Sequence, residues 1–134
     1  MKEELDPRCV IQGIAKRITV LKDRIDETFK KRDDGPEARA EWSQACEEFH
    51  LHYNALAFPG GYEAGLEKIR AGESRAIEDA LAFVEVRPYF FRSQYMRKKL
   101  MRRLKHAPLT PRQSERFQTA LAADKKKDRH QRQM

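Results

Sequence analysis

The spacing of apolar residues near the amino terminus constrains the fold more than any other feature of the sequence. Five of them recur at alternating steps of three and four: Ile11, Ile14, Ile18, Leu21 and Ile25. This period places them on one face of an α-helix. We expect that helix to run from about Pro7 to Arg32, with Asp6 as its N-cap and Pro7 at its first position.

A second apolar face follows after a short break. In "RDDGPE", Gly35 can end the first helix and Pro36 can begin the next, which is expected to reach about Phe58. Its inward side chains repeat the same spacing: Ala38, Trp42, Ala45, Phe49, His52 and Leu56. Two such faces joined by a short loop predict an antiparallel helical hairpin, held chiefly by their burial.

Shorter helices are predicted in the rest of the chain. The break "FPGG" ends the hairpin. It is followed by a short helix over 62–71 and by another that Ser74 is expected to cap and Pro88 to end. A basic segment comes next, and then a last helix with Phe117 and Leu121 as inward anchors. Thr110, Pro111 and Gln113 fit the N-cap, first position and capping box of that helix.

The composition agrees with an all-α protein. Of 134 residues, 37% are charged and only six each are glycine and proline, whereas strands and turns need more glycine and β-branched residues. We therefore predict five or six helices in one domain, residues 1–123. The segment 124–134, "DKKKDRHQRQM", is rich in lysine and arginine, and it is expected to be a disordered basic tail.

The sequence contains no apolar run of membrane-spanning length and does not begin like a secretory signal. Cys9 and Cys46 lack the spacing of a metal site. Reduced thiols, and therefore a cytoplasmic protein, are the expectation.

Charge is distributed unevenly along the chain. Residues 1–86 contain 13 Lys/Arg and 18 Asp/Glu, a balance of −5, whereas residues 87–134 contain 15 and 3, a balance of +12. The two segments together give the net charge of +7. This surplus at one end of the chain favours an anionic partner.

The segment "RSQYMRKKLMRRLKHAP" is the main candidate for binding such a partner. A helical wheel places Phe90, Met96, Leu100, Met101 and Leu104 on a core face. Arg97 falls within that face, so we expect its stem to extend along an edge toward water. The opposite side carries six cations: Arg92, Lys98, Lys99, Arg102, Arg103 and Lys105.

Two aromatic residues, Phe91 and Tyr95, fall on the basic side of the same wheel. Cations can neutralise phosphates while exposed rings stack on bases. The sequence thus favours a polyanion as partner, nucleic acid first, with DNA and RNA both open. The tail would add mobile charge through Lys125, Lys126, Lys127, Arg129 and Arg132.

Three other interpretations of the basic segment stay open. An acidic protein could dock on the same face, because complementary charge sets association rate and specificity. An anionic lipid surface could attract a basic amphipathic helix. The aromatic residues could also pack under the hairpin and leave the cations simply hydrated.

Catalysis and metal binding have weaker support. Glu47 and His50 form a Glu-x-x-His pair, but carboxylate-bridged metal sites use two such pairs, so a complete site would require a homodimer. Cys46 lies one turn from His50 without an evident orienting group, and is expected to be a small buried hydrophobe. His52, on the apolar face, is expected to be a hydrogen-bonded core residue. We expect a non-catalytic protein without a cofactor.

Overall fold

The computed structural model describes the backbone of residues 6–133 and the side chains of residues 6–126. Over these residues the chain forms six helices. They are α1 (Pro7–Lys31), α2 (Pro36–Leu56), α3 (Tyr62–Arg70), α4 (Ser74–Val86), α5 (Ser93–Lys105) and α6 (Pro111–Gln133). No strand occurs in the described backbone, so the all-α prediction is confirmed.

Helices α1 and α2 form the predicted hairpin and pack extensively on each other. Ile11, Ile14 and Ile18 are buried along α1, and Leu21 and Ile25 are partly buried. The predicted start of α1 is also confirmed, since an Asp6 carboxylate oxygen accepts a hydrogen bond from the Arg8 N–H at 3.0 Å. Burial of this apolar stripe is what a helix of mixed composition needs to be stable.

Helix α4 is the centre of the molecule. It contacts α1, α3, α5 and α6, and eight of its 13 residues are buried. A helix that is apolar on nearly every side can only lie inside a fold. The short helices therefore cover α4 and complete one continuous core with the hairpin.

The start of α6 follows the predicted capping box. The Gln113 N–H donates to the Thr110 hydroxyl at 3.2 Å, and the Thr110 N–H donates to the Gln113 side-chain oxygen at 3.0 Å. Phe117 is buried, and Leu121 packs partly buried against the core. The reciprocal pair satisfies two backbone donors that would otherwise lack partners at a helix start.

Two expectations need correction. His52 is exposed, and Tyr53, the next residue, points inward instead. Ser74 is the first residue of α4, and it is preceded by Glu73 at the N-cap, without a side-chain cap.

Helix α6 extends to Gln133, beyond the expected start of the tail at residue 124. The carboxylate of Asp124 is bound by Arg97 of the fold.

None of the helices within residues 6–133 combines the length and apolar character that a bilayer crossing requires.

Candidate nucleic-acid interface

Helix α5 is fixed to the core along one side. Met96, Leu100 and Leu104 are each at most 1% exposed, and they pack among the buried residues of the fold. Met101 packs there partly buried. The core face predicted from the helical wheel is therefore correct for the residues within α5.

The opposite side of α5 and its N-cap carry the six predicted cations, which we call the α5 basic face. Arg92, Lys98, Arg102 and Lys105 are exposed, whereas Lys99 and Arg103 are half-buried. Three of them, Arg102, Arg103 and Lys105, lie in the last turn, where positive charge also favours the helix dipole. Stabilisation of the helix dipole explains why some of these cations lie there, but it leaves their positive charge without a counterion.

The α5 basic face lacks compensating carboxylates. Residues 87–110 contain no Asp or Glu. No described carboxylate lies within ion-pair distance of any of the six cations. Arginines elsewhere do have carboxylate partners. Arg24 binds Glu48 at 2.7 Å, and Arg116 binds both Glu78 and Glu85. Part of the surplus charge found in the sequence therefore lies on the α5 basic face without paired carboxylates among the described residues.

Phe91 does not lie where the helical wheel placed it. Helix α5 begins at Ser93, so Phe91 belongs to the preceding segment. Its ring packs edge-on against Phe49 at 5.6 Å and remains 41% exposed. The cationic groups of Lys22 and Arg92 lie 5.5 and 5.4 Å from the ring centroid. Phe91 is thus partly packed under the hairpin and partly available at the surface.

Tyr95 lies on α5 as predicted and is 64% exposed. The nearby Tyr62, at the start of α3, is different because its hydroxyl is buried and has no hydrogen-bond partner among the described residues. Burial, with a smaller contribution from Tyr95, raises the pKa of Tyr62 to about 12, although the positive charge of Arg103 acts in the opposite direction. Only Tyr95 of these two rings is open to a ligand.

The segment 87–92, which we call the aromatic link, joins α4 to α5 and presents an aromatic residue that the sequence analysis missed. Tyr89 is 86% exposed, while its neighbour Phe90 is 6% exposed and packs edge-on against Phe83. A strand-like alternation after the break at Pro88 would have placed Tyr89 outward, since Pro88 and Phe90 are buried while Tyr89 and Phe91 are exposed.

Hydrogen bonds hold the aromatic link in place. The Tyr53 hydroxyl donates to the Phe91 carbonyl at 2.6 Å. The Phe90 N–H donates to the Ser93 hydroxyl at 3.1 Å, and the Ser93 N–H donates back to the Phe90 carbonyl at 3.0 Å. Arg87 and Arg92, at the two ends, have left-handed backbone conformations with φ of 52° and 65°. Such conformations cost free energy in non-glycine residues and are kept only by strong surrounding contacts.

An open groove of about 610 Å³ runs beside the aromatic link. One wall is α1, with Thr19, Lys22, Asp23 and Asp26. The other wall is formed by residues 89–94. Lys22 is already bound to Asp26 at 2.7 Å. The α1 wall is therefore weakly acidic, whereas the opposite wall carries one cation, Arg92, and no carboxylate.

Arg97 does not extend toward water as expected. Its side chain is 14% exposed and donates two hydrogen bonds to Asp124, at 2.8 and 2.9 Å. It also donates to the Val84 carbonyl at 3.2 Å. Arg97 is thus a structural residue between α5 and α6, and it does not belong to the α5 basic face.

Only part of the predicted basic tail can be placed. Lys125 and Lys126 are exposed on α6. The side chains of Lys127, Arg129 and Arg132 lie outside the described residues.

The residues considered for metal or nucleophilic chemistry do not assemble into a site. Glu47 and His50 are both exposed, and Cys46 is half-buried. Within the described part of the chain, no group of three or more His, Cys, Asp or Glu side chains is arranged to hold a metal ion.

Comparison with protein-family models, with curated proteins and with solved structures gives no match to this chain.

Proposed function

We propose that this protein binds nucleic acid without catalysis, through the α5 basic face. The observation that carries the proposal is the set of six cations that have no carboxylate partner in the described part of the chain, together with exposed aromatic rings in the same segment. A phosphate backbone would supply the missing negative charge, and binding would release its condensed counterions. Arginines can also grip phosphate through two hydrogen bonds at once.

The exposed aromatic rings favour nucleic acid over an acidic protein that docks on the same face. Charge complementarity alone suits both partners. Exposed aromatic rings beside a basic surface can stack on the flat π-faces of successive bases along a strand, and this stacking adds to the affinity. An acidic protein remains the alternative partner and is a distinct outcome of the experiment below.

The cellular location belongs to the same proposal. Cys9 is an exposed free thiol and Cys46 is a half-buried one. Free thiols persist in reducing compartments, and this supports a cytoplasmic protein.

The test is fluorescence anisotropy of labelled oligonucleotides titrated with the wild type and with Arg102→Glu/Lys105→Glu. Both substituted residues are exposed and lie in the last turn of α5. The matched control is Lys30→Glu/Lys31→Glu, also exposed and in the last turn of α1. It has the same change of charge and the same loss of helix-dipole stabilisation.

We expect the α5 variant to bind roughly tenfold more weakly or worse, because two phosphate contacts become repulsive, while the control stays within about threefold of the wild type. Circular dichroism would establish that both variants remain helical. Equal weakening by both variants would contradict a localised interface. Absence of binding at low salt would overturn the proposal, and retention of an acidic protein by the wild type alone would establish the alternative.

A further inference from the structure

Three aromatic side chains are exposed within seven residues, at the edge of the α5 basic face. Tyr89 is 86% exposed, Tyr95 is 64% exposed and Phe91 is 41% exposed. Aromatic residues usually contribute large buried areas to a core. Here a protein with a well-filled core leaves Tyr89 and Tyr95 mostly in water and Phe91 partly so, within a segment of the sequence, 87–110, that contains no Asp or Glu.

The backbone of the aromatic link is held in place before any ligand arrives. Phe90 anchors the aromatic link in the core, and the Tyr53 hydroxyl fixes the Phe91 carbonyl. The backbone at Arg92 is kept in a left-handed conformation. A ligand that stacks on Tyr89 therefore does not have to order this backbone, which lowers the entropic cost of binding.

The two sides of the aromatic link differ in charge. The α1 wall of the groove carries Asp23 and Asp26, while Arg92, the N-cap of α5, lies on the other wall. A phosphate would be repelled by the first side and attracted by the second. A base can lie over the link, and its amino groups can donate to a carboxylate on the α1 wall.

We infer that the α5 basic face takes single-stranded rather than double-stranded nucleic acid, with bases stacked on Tyr89 and Tyr95 and the backbone along α5. This inference rests on the proposed function and specifies its ligand. In a duplex, base faces are covered by neighbouring pairs and only their edges reach the grooves. A single strand leaves base faces open to aromatic rings, as in other single-strand binding surfaces. A duplex would also bring a second phosphate backbone toward the acidic α1 wall.

The experiment compares single- and double-stranded oligonucleotides of about 12 nucleotides or base pairs, a length that covers one such surface. The variants are Tyr89→Ala and Tyr95→Ala, with Tyr89→Phe as the conservative change and Leu51→Ala as the control. Leu51 is 74% exposed on α2, so the control removes an apolar side chain of similar exposure.

We expect the wild type to prefer single strands. Each tyrosine-to-alanine change should weaken single-strand binding by about fivefold to a hundredfold, as loss of one base stack does elsewhere. Duplex binding and the salt dependence should change little, because no cation is removed. Tyr89→Phe should keep the wild-type affinity, since stacking needs the ring and not the hydroxyl, and Leu51→Ala should have no effect.

Each other result overturns the inference in a recognisable way. Equal affinity for single strands and duplexes, or alanine variants that match the wild type, would leave nucleic-acid binding in place but exclude stacking as its basis. A preference for the duplex would likewise leave nucleic-acid binding in place but exclude stacking as its basis. Absence of binding to either form would overturn the proposed function together with this inference.

Discussion

Asp124 of α6 accepts two hydrogen bonds from the guanidinium group of Arg97 on α5, at 2.8 and 2.9 Å. Arg87, at the end of α4, binds the same carboxylate. One acidic residue thus joins three helices of the carboxyl-terminal half. The bidentate geometry is the strongest form of this interaction, and its partial burial limits screening by solvent.

Asp124→Asn should lower the free energy of unfolding by about 1–3 kcal/mol, because two partly buried guanidinium groups lose their counterion. Urea denaturation measures the change. The control is Asp26→Asn, which removes the exposed pair with Lys22 at 2.7 Å and should cost about 0.5 kcal/mol or less. Equal losses in the two variants would contradict the structural role of Asp124.

Tyr53→Phe should destabilise the protein by about 1 kcal/mol, because it removes the hydrogen bond that the hydroxyl donates to the Phe91 carbonyl. Tyr62→Phe is the matched control. The buried Tyr62 hydroxyl finds no hydrogen-bond partner within the described part of the protein, so its removal should be neutral or stabilising. Thermal or urea denaturation of both variants tests the difference, and a larger loss for Tyr62→Phe would contradict it.

Tyr53 also predicts a dependence of stability on alkaline pH. Burial, as the largest cause, raises its pKa from 10.0 to about 12. Since the folded-state pKa is higher than the unfolded one, the stabilisation is fully present below pH 10 and is lost as the pH rises toward 12. Denaturation of wild type and Tyr53→Phe across this range should show a smaller decline for the variant. An identical decline would contradict the assignment.

Gly65→Ala should be destabilising by about 1–3 kcal/mol through overpacking. A Cβ atom at this position would lie 2.5 Å from Cδ2 of the Phe58 ring, which is 1% exposed and cannot move away. Gly13→Ala, in α1, meets no atom within 4 Å and should stabilise by about 0.5–1 kcal/mol through helix propensity. Thermal denaturation tests the contrast in sign, and stabilisation by both substitutions would contradict the packing of α3 on Phe58.

Local features of the fold could be predicted from the sequence because their causes are local. The stripe from Ile11 to Ile25 follows from helical period, and the capping box at Thr110 and Gln113 depends on residues three apart. The core face of α5 was predicted for the same reason. His52 was placed wrongly because the period fixes a face only to within one residue, and Tyr53 has the larger apolar ring to bury.

Contacts between distant residues could not be predicted in this way. Arg97 and Asp124 are 27 positions apart, so no spacing rule connects them, and Arg97 was expected in water. Tyr89 was overlooked because the wheel began at Phe90 and treated the aromatic link as helix. The left-handed backbone at Arg92 depends on contacts with Tyr53, Phe90 and Ser93 that form only in the folded protein.

The salt dependence of nucleic-acid binding tests the central claim most directly. Affinity would be measured by anisotropy over a range of salt concentrations for the wild type, Arg102→Glu/Lys105→Glu and Lys30→Glu/Lys31→Glu. If the α5 basic face contacts phosphates, the magnitude of the slope of log affinity against log salt should decrease by roughly 1.4 for a single strand, or about 1.8 for a duplex, in the α5 variant and stay unchanged in the control. A slope that is the same in all three proteins would show that these cations do not contact phosphate.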